Sequence, residues 1–240
     1  VLAIFFNLLH IPLHWSIFLI LAIISPSGAI IRFFKKQLEK PKIGLTRENL
    51  FFTLTILVAL THLLIFLYGS FSYPYLEDGD PWDHSRSIRY IASQKTAFEP
   101  SISGEVFKFM DAYPPSFDIL MAVLYQVSDN LIWTLKFFNA LLISLSLIFF
   151  FMFCKKMTND PVKAFFATLI LFMIPSYMSH FIWSLTMSMV LFLPALYALE
   201  SIKDDPRWKY AAGILIGAIL VSQPSMSVVM SFMIFLYWAI

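Results

Sequence analysis

The stretch Glu77-Asp78-Gly79-Asp80-Pro81-Trp82-Asp83-His84-Ser85-Arg86 follows the apolar run Leu50 to Phe71 and is the densest patch of polar chemistry in the chain. It sets four carboxylates and one imidazole within eight residues. Carboxylates at that spacing repel one another unless solvent, a cation or a basic partner neutralises them. Nearly everything on either side is apolar. The stretch therefore reads as an acidic, turn-rich loop at a membrane surface, held by a scaffold of spanning helices.

Composition supports that scaffold. Apolar residues make up 59% of the 240 residues, charged residues only 13%, and Phe occurs 26 times, which leaves too little charge to clothe a soluble domain. The expected fold is all-α, a polytopic transmembrane helical bundle with an external acidic loop and membrane-surface helices. We treat 1–240 as one transmembrane region. A net charge of +2, with basic residues gathered in short loops, argues for membrane topology and against a nucleic-acid partner. Cys154 lies beside Lys155 and Lys156 at the end of an apolar run and reads as a structural thiol. The chain opens on Val1 and stops inside an apolar run, so we expect the natural protein to extend beyond both ends. Its first apolar stretch lacks the basic leader and small-residue cleavage site of a signal peptide.

Charge and parity set the orientation. Val1 to Leu9 reads as a helix broken at His10-Ile11-Pro12, and Leu13 to Phe34 as a span kinked by Pro26 and Gly28. Arg32, Lys35, Lys36, Lys40, Lys42 and Arg47 outnumber Glu39 and Glu48, which makes the next loop cytoplasmic. Leu50 to Phe71 then runs outward to an aromatic belt of Tyr68, Tyr73 and Tyr75, and residues 72–130 form the first external loop. Within it, Ser85 to Ala97 places Ile88, Ile91 and Ala92 at helical spacing, as in a helix lying on the membrane. Ala112 to Val127 is apolar too, but if it crossed, Lys155 and Lys156 at the end of Leu131 to Cys154 would fall outside. A surface or re-entrant helix keeps them inside, and Asp118 and the short length agree. Lys163 to Ser179, Leu185 to Leu199 and Tyr210 to Ser222 continue the crossings, and Pro224 starts a last helix. Gly213 and Gly217 read as a close helix contact.

Four short motifs, in order, carry a resemblance. They are Asp80-Pro81-Trp82-Asp83-His84-Ser85-Arg86 with Arg89-Tyr90; Tyr113-Pro114-Pro115 opening a surface helix; Pro175-Ser176-Tyr177 turning toward a second external loop; and Arg207-Trp208 followed by Gly213, Gly217 and Gln223-Pro224. The chain from Phe51 onward resembles the GT-C class of membrane glycosyltransferases, most of all the catalytic subunit of oligosaccharyltransferase in its archaeal form. Protein O-mannosyltransferases and lipid A aminoarabinose transferases are related families. The order of the motifs, more than any one of them, carries the likeness. It implies transfer of a sugar or oligosaccharide from a polyprenyl-phosphate-linked donor to a protein or lipid acceptor. The site would lie on the external face of an archaeal or bacterial plasma membrane.

The resemblance assigns Asp80 the catalytic role, as a general base or through a divalent cation, Mn or Mg, held by Asp80, Asp78 and His84. A carboxylate suits both tasks. Arg86, Arg89, Asp83, Tyr113 and His180 become donor- or acceptor-binding residues. Arg86 and Arg89, three apart, would hold Asp80 or the donor phosphate, or else snorkel to lipid headgroups. His84 would ligate, shuttle a proton or simply hydrogen-bond. His10, His14 and His62 have no acidic neighbour in sequence and read as structural. The chain departs from the oligosaccharyltransferases it resembles at Trp183-Ser184-Leu185-Thr186-Met187-Ser188, which has no carboxylate where they usually bring further metal ligands. This fits a metal-independent relative, a ligand set completed beyond Ile240, or His180 as a substitute. Two other functions stay open. A transporter needs ionisable groups near mid-bilayer, which are few here; the other is a catalytically inactive, lipid-carrier-binding protein.

Overall fold

The computed structural model describes residues 2–34, 44, 46–97, 114–177 and 181–239, with 25, 26 and 28–34 as backbone only. In chain order the helices are α1 (Leu2–Leu8), α2 (Trp15–Phe34), α3 (Arg47–Phe71), α4 (Gly79–Gln94) and α5 (Ser116–Ser128). They are followed by α6 (Leu131–Thr158), α7 (Pro161–Met173), α8 (Ser184–Ser201), α9 (Trp208–Leu220) and α10 (Pro224–Ala239). No strand occurs among the described residues. Among the described residues three helices, α3, α6 and α8, are long and apolar enough to cross a membrane.

Polar contacts fix how these three run. Near the start of α6, Lys136 donates to the carbonyls of Ser70 and Tyr73 at the end of α3; near the end of α6, Lys155 pairs with Glu48 at the start of α3. The two helices are therefore antiparallel. A buried hydrogen bond between His62 Nδ1 and the Ser144 hydroxyl, 2.8 Å, ties their middles. α8 runs parallel to α6: the Asn139 amide donates to the Phe181 carbonyl just before α8, and Lys156 pairs with Asp204 just after it. α7 packs on both α3 and α6, while α9 and α10 lean on α8.

At one end of α3 and α6 the short helices form a cap. α5, at 13 residues, is about 20 Å long, too short for the ~30 Å hydrocarbon layer. It packs between α4 and the start of α6, so the chain leaves α3 and enters α6 at the same end, as the parity argument requires. α1 and the start of α2 are stitched to this cap. The Asn7 side chain accepts from the Ala97 amide (2.8 Å), and Gln126 accepts from the Trp15 amide (3.0 Å) and donates to the Leu13 carbonyl (2.8 Å).

Several expectations need correction. The acidic stretch is not a loop, because helix α4 begins at Gly79, six residues before the expected start at Ser85. The expected crossings Lys163 to Ser179 and Tyr210 to Ser222 overlap helices of only 13 residues each, α7 and α9. α7 ends because Pro175 has no amide to donate and bars its predecessor from helical geometry. Beyond it, the Tyr177 hydroxyl bonds to Ser146 and to the Ile143 carbonyl, tying the chain to the middle of α6. Gly213 makes no close contact: a Cβ there meets open space. The face of α9 turned to its neighbours carries Ala212, Leu215, Ile216 and Ile219, and Gly213 sits off that stripe. The basic residues Lys35, Lys36, Lys40 and Lys42 lie outside the described residues.

Candidate functional site

The site grows from the start of α4. Asp78 is its N-cap, accepting from the Gly79 amide at 2.6 Å, and Asp80 lies in the first turn. Acids there satisfy free amides and the positive end of the helix dipole, and proline is tolerated because its missing amide would have no partner. Asp-Gly-Asp-Pro, which resembles a turn in sequence, is equally a helix start. Pro81, His84, Ser85, Ile88, Ile91 and Ala92 recur at helical spacing and are buried; Ile88, Ile91 and Ala92 share a core with Phe117, Met121 and Ala122 of α5. Asp80, Trp82, Arg86 and Arg89 are on the exposed side.

On the buried side, His84 Nδ1 and Asp118 Oδ1 lie 2.7 Å apart, with side chains 2% and 6% exposed. The Phe117 ring meets the imidazole edge-on at 5.0 Å. Burial pushes the Asp118 carboxyl above its ordinary range; hydrogen bonding and charge from His84, then a hydrogen bond with Ser87, pull the other way. The pair crosses the α4–α5 interface, where an unpaired carboxylate would be costly. His84 is thus a buried clamp between two cap helices and not a member of an exposed loop. Sequence reading missed Asp118 as its partner. The available signal was an acid on an apolar helix opened by Pro114-Pro115, one turn from the core residues Met121 and Ala122.

Lys136 was also missed, hidden in what reads as a clean span. It is 2% exposed and donates to the Ser70 carbonyl at 2.6 Å and the Tyr73 carbonyl at 2.5 Å, with the Phe71 and Tyr73 rings 5.7 and 6.0 Å from its ammonium. Glu77 is its acidic neighbour. A lysine within two turns of the start of an apolar helix was the available clue. Between Lys136, Ser70, Glu77, Asp78, Pro81 and Phe181 lies a cavity of 10 Å³, about the room of one water. The Ser70 hydroxyl, in its wall, has no partner among the described residues.

The other expected residues separate. Asp80 is exposed and is not part of that cavity wall. Arg86 pairs with Asp83 at 3.5 Å, both exposed, so it does not brace Asp80. Arg89 lines an open groove of 490 Å³ with Trp15, Lys95, Gln126 and Asp129. Tyr113 and His180 lie outside the described residues. The expected metal set does not form as placed: Asp78 caps its helix, His84 is engaged by Asp118 in the interior, and Asp80 faces outward. No three His, Cys, Asp or Glu side chains among the described residues group as metal ligands.

Comparison with known protein families, characterised proteins and solved structures found no match to this chain. The arrangement offers an exposed carboxylate, Asp80, on a helix whose position is fixed by a cap, a buried His–Asp bond and a proline-backed apolar face.

Proposed function

We propose that the protein is a membrane-embedded glycosyltransferase that moves a sugar or oligosaccharide from a polyprenyl-phosphate-linked donor to a protein or lipid acceptor. On this reading the α4–α5 cap is the external face and the membrane is an archaeal or bacterial plasma membrane. The observation that carries it is the order of elements around Asp80. An apolar helix of spanning length leads into an acidic helix start, that helix is clamped to a second short helix, and the next long helix returns from the same end. This is the order in which the sequence motifs of the resembling class occur.

Asp80 then acts as the general base. It takes a proton from the acceptor hydroxyl or amide as that group attacks the anomeric carbon, and the bond from that carbon to the carrier phosphate breaks, releasing polyprenyl phosphate. His84 and Asp118 position the helix and do not touch the reacting atoms. Transfer of a labelled sugar from a polyprenyl-phosphate donor, measured with the full-length protein in vesicles, tests this. Asp80→Asn should lower transfer about a hundredfold or more, in line with loss of a general base. Asp205→Asn, at the opposite end, should leave it unchanged. Equal rates for wild type and Asp80→Asn would remove Asp80 from the mechanism.

A further inference from the structure

The end of the bundle opposite the cap holds a cleft that the transferase reading does not use. α3 and α8 each pack along α6 yet make almost no contact with each other, because α6 lies between them. The wedge between them encloses 420 Å³. Its walls include Glu48 and Phe52 of α3, Met152 and the buried Phe151 of α6 and Tyr197 of α8. Lys155 and Lys156, in the last turn of α6, stand in the same wall one turn beyond Phe151.

Two features of the rim suit an anion. Lys155 is bonded to Glu48, and Lys156 to Asp204, and in both pairs the carboxylate side chain is the more exposed partner. The lysine side chains are 34% and 21% exposed against 56% and 71% for the carboxylates. Solvent-exposed pairs hold little free energy, so these carboxylates are exchangeable for an anion with more acceptor oxygens, such as a phosphodiester. Lys156 also lies 5.8 Å from the centre of the Tyr197 ring, which fixes its ammonium over the wedge wall.

Depth selects the kind of anion. With 28 residues α6 is about 42 Å long, longer than the ~30 Å hydrocarbon layer, so its last turn reaches the headgroup zone while the accessible wall residues Phe52 and Met152 lie about one turn deeper. A charged rim one turn above an aromatic wall matches the phosphate and first methylenes of a phospholipid. A soluble phosphate compound would leave that wall unused.

We propose that this wedge binds an anionic phospholipid, its phosphate on Lys155 and Lys156 and one acyl chain along Phe52 and Met152. The site is independent of the transferase reading and needs only that α3, α6 and α8 sit in a bilayer. Its test is native mass spectrometry of the purified full chain in detergent, titrated with phosphatidylglycerol or with phosphatidylcholine of the same acyl chains. Phosphatidylglycerol should be retained and phosphatidylcholine should not. Lys155→Gln/Lys156→Gln should weaken phosphatidylglycerol binding about thirtyfold, the effect of two lysine charges near an anionic lipid. Lys155→Arg/Lys156→Arg should keep it. Lys203→Gln/Lys209→Gln, which removes the same charge outside the wedge, should bind like wild type. Equal retention of both lipids, or equal weakening by the Lys203/Lys209 variant, overturns the site. Displacement of the lipid by glycerol 3-phosphate at equal concentration overturns the lipid assignment in favour of a soluble ligand. Each variant is checked by circular dichroism and gel filtration. If the double Gln variant is not recovered folded, the single Lys155→Gln and Lys156→Gln variants replace it, and unchanged binding in both overturns the proposal.

Discussion

The two ends of the bundle handle charge in opposite ways. At the cap, His84, Asp118 and Lys136 are buried and each is held by specific partners across helices. At the other end, Glu48–Lys155, Lys156–Asp204, Asp205–Arg207 and Lys203–Glu200 are pairs in which at least one partner is well exposed. The cap therefore holds one geometry, since losing a partner strands a polar group away from water. At the opposite end the Glu48–Lys155 and Lys156–Asp204 pairs can exchange partners at little cost, which suits a surface that meets lipid headgroups, while Glu200 is buried and held by both Lys203 and Tyr237.

The comparison is broken most directly at His84. His84→Ala leaves the Asp118 carboxyl buried without its main partner and should destabilise the protein by about 3–5 kcal/mol. The measurement is unfolding in mixed detergent and SDS. The double variant His84→Leu/Asp118→Leu should cost much less than the two single variants added together, because it strands nothing. Additive losses would mean that the two residues are not a pair.

Lys136→Met comes next. It keeps the stem of the side chain but leaves the Ser70 and Tyr73 carbonyls without their charged donor, for a loss of about 2–3 kcal/mol in the same assay. A loss below that of Glu48→Gln would contradict the assignment of Lys136 as the tie between α3 and α6.

The pH dependence is smaller and has a definite sign. Burial raises the Asp118 carboxyl above its unfolded value, so the folded protein binds this proton more tightly than the unfolded chain. Its contribution to stability is fully present below the ordinary carboxylate range and is lost as pH rises through the raised value. Thermal stability measured between pH 4 and 7, with roughly the lower limit set by that ordinary range, should fall with rising pH more steeply in wild type than in Asp118→Asn. Identical slopes would show that the carboxyl titrates as it does in the unfolded chain.

The smallest effect belongs to the opposite end. Glu48→Gln should change stability by no more than about 1 kcal/mol, and added salt should shrink the difference further. A loss as large as that of His84→Ala would erase the contrast between the two ends.

Much of the architecture was legible. The apolar runs at Leu50 to Phe71, Leu131 to Cys154 and Leu185 to Leu199 correspond to α3, α6 and α8, within a few residues at each end. The helical character of α4 was visible in Ile88, Ile91 and Ala92, and the short α5 in its length and in Asp118. The start of α4 was misread because Asp, Gly and Pro serve turns and helix N-termini alike, and only the buried face beyond Pro81 separates the two. Gly213 and Gly217 share a spacing with many close helix contacts, yet spacing does not say which face meets a neighbour. Of the expected site, Asp78, Asp80, Asp83, His84, Arg86 and Arg89 do share α4 and its cap, but they split between an inner and an outer face.

The sequence by itself determined that this chain is helical and suited to a membrane, since run length, hydropathy and capping are properties of neighbouring residues. Tertiary structure alone decided that His84 meets Asp118, 34 residues on, and that Lys136 reaches back 66 residues to Ser70. The physical reason lies in burial. Any isolated helix satisfies its own backbone, but a buried imidazole, carboxyl or ammonium must find its partner on whichever helix packing brings beside it, and no local pattern records that choice.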